Sequence, residues 1–256
     1  MRNKLTKLTA IFLAVFTIAA YAENAEQLEK TITAYGLTAN KDAINTVTVT
    51  GTLNRSDDKI LTLHIDSDTK VIWRASLTGN VYDELIVKKG KGTLEIQNGS
   101  YIGNSKVNSL YNAIRVDEGD LTISGGTISS SVGYGIKSYS TGTVDIKGGT
   151  ISMRGGPGMS VGVYNASIGT VNISGGTVSA NYAVYNVWTG TVNISGGTIK
   201  YIGGGGKAIY GFSSGGTINI SGGEILPKDD DGTADGTVVS SVGKINIFSP
   251  AKITSK

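Results

Sequence analysis

Short bursts of alternating apolar and polar residues recur along most of this chain. In Thr170-Val171-Asn172-Ile173 the period of two places Val171 and Ile173 on one face of a strand and Thr170 and Asn172 on the other. A glycine pair follows, suited to a bend because positive φ carries little strain there. A second burst brings one apolar residue per copy: Ile128, Ile151, Val178, Ile199 and Ile225. After a segment of variable length a third burst reads NAIRV, YGIKS, VGVYN, YAVYN and KAIYG. Its inward file is Ile114, Ile136, Val163, Val184 and Ile209.

The unit repeats. The string GTVNISGGT occurs at residues 169–177 and again at 190–198. Related copies begin at Gly92, Gly119, Gly142, Gly169, Gly190, Gly216 and Gly243, spaced 27, 23, 27, 21, 26 and 27 residues apart. Repeats of this length, none able to bury its apolar face alone, indicate a solenoid. Three short strands per coil, turning the same way each time, predict an all-β fold: a right-handed parallel β-helix of about seven coils. Equivalent residues would stack roughly 4.8 Å apart, each inward Ile or Val contributing about 1.5–3 kcal/mol on burial. A leucine-rich repeat has a similar period but needs an L-x-x-L-x-L frame, which these copies lack. The glycines have no phosphate to cradle, since no helix start follows them.

Upstream of Gly92 the pattern is degenerate. LTLHI (61–65) reads as a first strand, KVIWRA (70–75) as a second and ELIVKK (84–89) as a third. Residues 23–30 read as a short helix able to cap the open first coil. Residues 23–59 are therefore assigned to the cap and first strands, and 60–256 to the solenoid. At the other end the chain stops partway through a coil with no polar helix after it. That edge is expected to be open to a partner, including end-to-end self-association with a second copy.

Composition sharpens this picture. Glycine is abundant (37) and proline rare (3), which with regular apolar residues argues for many tight turns in an ordered β-protein. The first residues read as a secretory signal. Met1-Arg2-Asn3-Lys4 and Lys7 form a basic start, residues 8–20 an apolar run too short to span a bilayer, and Ala20-Tyr21-Ala22 a cleavage pattern. Removing residues 1–22 takes away Arg2, Lys4 and Lys7, leaving 20 basic against 20 acidic side chains. The mature chain is then neutral, without a transmembrane segment, and nucleic acid is not an expected partner. With no cysteine it forms no disulfide and no thiolate metal site. The expected location is secreted or at the cell surface.

GTVNISGGTV and GTVNISGGTI, with LTLHIDSDTKVIW upstream, resemble the secreted β-helix repeat proteins of bacterial surfaces over roughly residues 60–256. The resemblance implies a pectin-lyase-like fold shared with polysaccharide lyases and adhesin passengers. It implies no single activity, because one fold hosts many functions. Polygalacturonase-like members use several aspartates, a Gly-His-Gly and an Arg-Ile-Lys. Here the single histidine, His64, lies in LTLHI without flanking glycines, and Gly135-Ile136-Lys137 lacks the arginine. Pectate-lyase-like members use a calcium-binding carboxylate cluster. Only Glu95 and Asp145 share an outward file here, with Thr122 between them, about 10 Å apart and too far for one calcium ion. The reading leans away from an enzyme.

Other candidate chemistry lies where the copies differ. PKDDDGTADG contains Asp229, Asp231 and Asp235, a candidate calcium site; its poor fit to the EF-hand frame favours a solvated acidic loop and no cofactor. On the third strand Arg115, Lys137, Tyr164, Tyr185 and Tyr210 form an outward file, with Tyr139, Trp188 and Phe212 in nearby turns. Lys137, Tyr164, Tyr185, Trp188 and Tyr210 are the candidate ligand-binding residues, because flat rings beside polar groups suit a polysaccharide or cell-surface glycan. The same column would also stabilise neighbouring coils, and both readings stand. Files of threonine (Thr143, Thr170, Thr191, Thr217) and asparagine (Asn172, Asn193, Asn219, Asn246) predict polar ladders; an ice-binding face is a remote alternative, since charges interrupt them. The expected function is an exported, non-catalytic, adhesin-like protein that contacts glycans. A polysaccharide lyase or glycoside hydrolase relative and a structural spacer or fibre segment are the alternatives.

Overall fold

The computed structural model describes residues 23–42, 44–82, 84–105, 112–154, 159–203, 205–227 and 239–254. It is a β-solenoid whose coils stack in parallel, with three strands to each coil. First strands pair in register from Thr46–Thr50 through Lys70–Trp73 and Thr93–Ile96 to Lys244–Ile247. Third strands run from Leu61–His64 through Ile86–Lys89 to Val239–Ser241 and form a separate sheet. First and second strands share one sheet, because Thr191–Tyr201 and Thr217–Leu226 each continue unbroken through the bend between them.

The alternation seen in the sequence places the core. Val144, Val171, Val192 and Ile218 stack in register, as do Ile146, Ile173, Ile194 and Ile220, and all are at most 1% exposed. Ile128, Ile151, Val178, Ile199 and Ile225 line the second wall, and Ile114, Ile136, Val163, Val184 and Ile209 the third. The bend after the first strand depends on glycine at its second position: Gly126, Gly149, Gly176, Gly197 and Gly223 have φ between +74° and +80°. Space forbids a side chain there too, since a Cβ on Gly176 would come 2.7 Å from the Gly148 carbonyl oxygen one coil below.

The frame of the upstream coils differs from the expectation. LTLHI is a third strand, pairing with Ile86–Lys89, while Lys70–Trp73 is a first strand and Ser76–Gly79 a second. All three strands alternate in the same way, so periodicity alone does not distinguish them; the bends do. The Gly92 amide donates to the Ile65 carbonyl, which aligns the bend after LTLHI with the Gly90–Gly92 bend one coil later. The ladder also reaches back to Thr46–Thr50 and Thr52–Arg55.

The N-terminal end is capped. Helix Ala25–Tyr35 starts at Asn24, whose side chain accepts from the Gln27 amide while the Gln27 side chain accepts from the Asn24 amide. It ends at Gly36 in the left-handed region. Ala25, Leu28 and Ile32 bury one face against the first coil. Strand Thr38–Lys41 pairs antiparallel with Thr46–Thr50, closing the edge of the parallel ladder. In the last described coil burial falls off: Ile247 is 56% and Phe248 53% exposed. Among the described residues no helix is long and apolar enough to cross a membrane.

One cation sits inside. Lys88 is fully buried, and its Nζ donates to the carbonyls of Gly90 and Glu118. Burial pulls its amine down to about 8, with Asp120 and Glu118 opposing that shift. Two predictions follow from the core. Ile194→Asp should abolish cooperative folding by burying an unpaired charge, whereas Ile247→Asp, at an exposed position, should melt nearly like wild type; equal melting of both variants contradicts the inward column. For Lys88 the unfolded chain binds the extra proton between about pH 8 and the unperturbed lysine pKa of about 10.4, so stability should rise with pH there, by on the order of 3 kcal/mol. Denaturant titrations should show that rising limb in wild type and lose it in Lys88→Met.

Candidate functional site

The third-strand sheet brings the candidate ring face together. Its register aligns Arg115 with Lys137, Lys137 with Tyr164, Tyr164 with Tyr185 and Tyr185 with Tyr210. Ring centroids of Tyr164 and Tyr185 lie 5.4 Å apart, edge to face, and those of Tyr185 and Tyr210 are 5.0 Å apart and tilted. These separations fall in the attractive range for aromatic pairs.

A second file joins the first, and alternation did not anticipate it. In the five third strands from Asn112–Val116 to Lys207–Gly211 the residue before the inward Ile or Val is small and also buried: Ala113, Gly135, Gly162, Ala183 and Ala208. A Cβ on Gly135 would meet Ile151 and Met153, and one on Gly162 would meet Val178, so this position faces the core as well. Two consecutive inward residues break the period of two. The residue just before them therefore turns outward, which places Tyr134 and Tyr182 beside the expected column. Tyr134 lies 4.7 Å from Tyr164, and Tyr182 stacks on Tyr185 at 5.2 Å with 26° between planes. The signal was present as that run of Ala and Gly, where a strand core ordinarily carries larger residues.

Cations close one end of the cluster. The Lys137 ammonium lies 4.8 Å from the ring centre of Tyr134, 5.1 Å from Tyr139 and 5.8 Å from Tyr164. Arg115 lies 5.4 Å from the Tyr139 ring and pairs with Asp117 at 2.6 Å. Tyr210 extends the cluster the other way to Phe212, 6.3 Å distant. Trp188 stands in the bend after Tyr182–Asn186, 58% exposed, and makes no ring contact with the column among the described residues. Tyr139 (42%), Ile168 (62%) and Phe212 (56%) are exposed in the same series of bends.

Elsewhere the sequence-expected carboxylates are engaged. Glu95 and Asp145 flank Thr122 in one file. Glu95 takes Lys70 at 2.5 Å and hydrogen bonds from Gln97 and Ser124, which hold its carboxyl down to about 2 against the opposing effect of burial. Asp145 accepts from Asn172 at 2.8 Å and lies 3.6 Å from Lys147. The ladder continues from there: Asn193 donates to Asn172, Asn219 to Asn193 and Asn246 to Asn219 at 2.6–2.8 Å. Asp229, Asp231 and Asp235 lie outside the described residues. Among the described residues no group of three or more His, Cys, Asp or Glu is placed to hold a metal ion.

The fold and this face define a parallel β-solenoid with an aromatic strip along one sheet. No protein-family model, no curated protein and no solved structure matches the chain.

The packed rings shape the alkaline behaviour. Burial, with neighbouring phenols adding to it, pushes Tyr134 and Tyr185 up to about 12, and burial also raises Tyr164. The unfolded chain releases these protons near pH 10, about where a free tyrosine does. The contribution of these tyrosines to stability is therefore fully present below about pH 10 and should be lost as pH rises from there toward about 12. Denaturant titrations between those values should show that loss in wild type and a smaller one in Tyr134→Phe/Tyr185→Phe; equal losses would contradict the packing.

Proposed function

We propose that this chain is an exported, non-catalytic surface protein of the adhesin-like β-helix kind, and that it contacts glycans through the third-strand ring face. One observation carries the reading: Tyr164, Tyr185 and Tyr210 stand half-buried in register next to Lys137, with the exposed ring of Phe212 beside Tyr210 and Trp188 exposed in the bend after the strand of Tyr185. Their hydroxyls make no hydrogen bond among the described residues, so each ring offers a flat apolar face and a free polar tip. Sugar rings need that combination: apolar C–H faces pack on aromatics while hydroxyls take hydrogen bonds.

Two further features support the reading. The basic start, apolar run and Ala20-Tyr21-Ala22 pattern suit export, where extracellular glycans are met. The carboxylates that a lyase-like site would need are occupied: Glu95 by Lys70, Asp145 by Asn172 and Lys147. Binding without bond cleavage is the chemistry this favours.

The test is a panel of soluble polysaccharides offered to the mature chain, with binding and product release measured together. Binding without products is expected. Trp188→Ala/Phe212→Ala should weaken it about tenfold, as loss of exposed anchor rings does, without changing the melting curve, because both side chains are more than half exposed. Release of sugar products would replace this reading with an enzyme, and unchanged binding in the double variant would reject the face.

A further inference from the structure

We propose that a second site, separate from the ring face, takes a single anionic sugar unit in a polar groove on the second-strand side. The groove has a volume of about 290 Å³, at the small end for ligand pockets and suited to one sugar-sized molecule. Second strands of successive coils supply its floor, since Asn54, Thr78, Gly103 and Ser129 fall in one outward file. Tyr101, Asn80 and Arg154 also line it.

Three properties of this lining select the ligand. First, apart from Tyr101 every described residue that lines it is polar, charged or glycine, whereas sites for apolar ligands are lined mostly by hydrophobic side chains. Second, several of its side chains are uncommitted. The side chains of Asn80, Ser129 and Arg154 and the Tyr101 hydroxyl have no hydrogen-bond partner among the described residues, and Asn54 uses only its carbonyl oxygen, accepting from Thr78 at 3.1 Å; Asn104, Ser105 and Ser131 are engaged with backbone carbonyls. Third, among the described residues Arg154 is the only charged one in the lining, with no carboxylate there beside it.

The ring is held in place by the floor. Tyr101 lies across Gly103 so closely that a Cβ there would sit 2.6 Å from the ring edge. Every larger residue at position 103 would displace the ring, while neighbours in the same file carry Thr78 and Ser129. A flat ring, free amides and hydroxyls and one free guanidinium together fit a hydroxyl-rich ligand with one negative group, a sugar carrying a carboxylate or a sulfate. Its parts lie on second strands and the turns that follow them, whereas the rings at Tyr164, Tyr185 and Tyr210 lie on the separate third-strand sheet.

The experiment is calorimetric titration of the mature chain with glucuronate, glucose 6-sulfate and glucose. An anionic sugar should bind about fivefold more tightly than glucose, the modest margin that suits an exposed arginine. The tighter of the two anions identifies the negative group. Arg154→Gln should erase the preference, Tyr101→Ala should weaken all three sugars, and Trp188→Ala/Phe212→Ala should change none of them. That last variant separates this site from the ring face, so either can fail alone. Equal binding of glucose and both anions, a preference that survives Arg154→Gln, or no binding by any of the three overturns the proposal. Arg154 is exposed, so its variant should fold whatever becomes of Tyr101→Ala.

Discussion

Stacking of like residues on like, coil above coil, is the constraint on which the rest of this molecule depends. A parallel ladder puts each inward side chain directly over its counterpart, so a coil is stable only if its neighbours repeat its shape. Val144, Val171 and Val192 meet that demand within the core, and Gly149, Gly176 and Gly197 meet it at the bend. At the bend the demand is strict, because backbone approaches backbone without room for a Cβ. The first described coil lacks a stacked coil on one side. A helix and an antiparallel strand cover the first coil, replacing the missing neighbour with buried Ala25, Leu28 and Ile32.

Outward positions face the same geometry with a different chemistry. Where Asn repeats, each amide donates to the one below, and the run ends on the Asp145 carboxylate, which accepts and cannot donate. That arrangement consumes the hydrogen-bonding capacity of its members along the axis. Tyrosines stack too, but their contacts are between rings and leave the hydroxyls unused. The groove beside Tyr101 takes this further, with the side chains of Asn80, Ser129 and Arg154 uncommitted around a concavity among the described residues. Repetition explains the ladders; these unspent polar groups are what repetition alone does not explain.

Much of the scaffold was legible in the sequence because alternation and glycine pairs are local. T-V-N-I names its own inward residues, and the spacing of its copies names the solenoid. The frame upstream of Gly92 was not legible, because LTLHI and KVIW alternate identically and only the bend hydrogen bonds tell them apart. On the candidate face, Lys137, Tyr164, Tyr185 and Tyr210 could be aligned by eye. Tyr134 and Tyr182 could not, since the small residues Gly135 and Ala183 shift the period by one. The groove was hidden for another reason: Asn54, Gly103, Ser129 and Arg154 are brought together only by stacking, and each looks ordinary within its own coil.

The chain carries its own reporter for the ring face. Of its two tryptophans, Trp73 is fully buried with its indole N–H donated to the Ala75 carbonyl, and Trp188 is 58% exposed in the bend at the edge of strand Tyr182–Asn186, which carries Tyr182 and Tyr185. Quenching of tryptophan fluorescence by iodide, measured with and without a saturating polysaccharide, therefore reads that edge alone. A bound glycan lying along the rings should shield Trp188 and remove the quenchable fraction of the emission. A glycan that binds while Trp188 stays equally open to iodide would contradict the account.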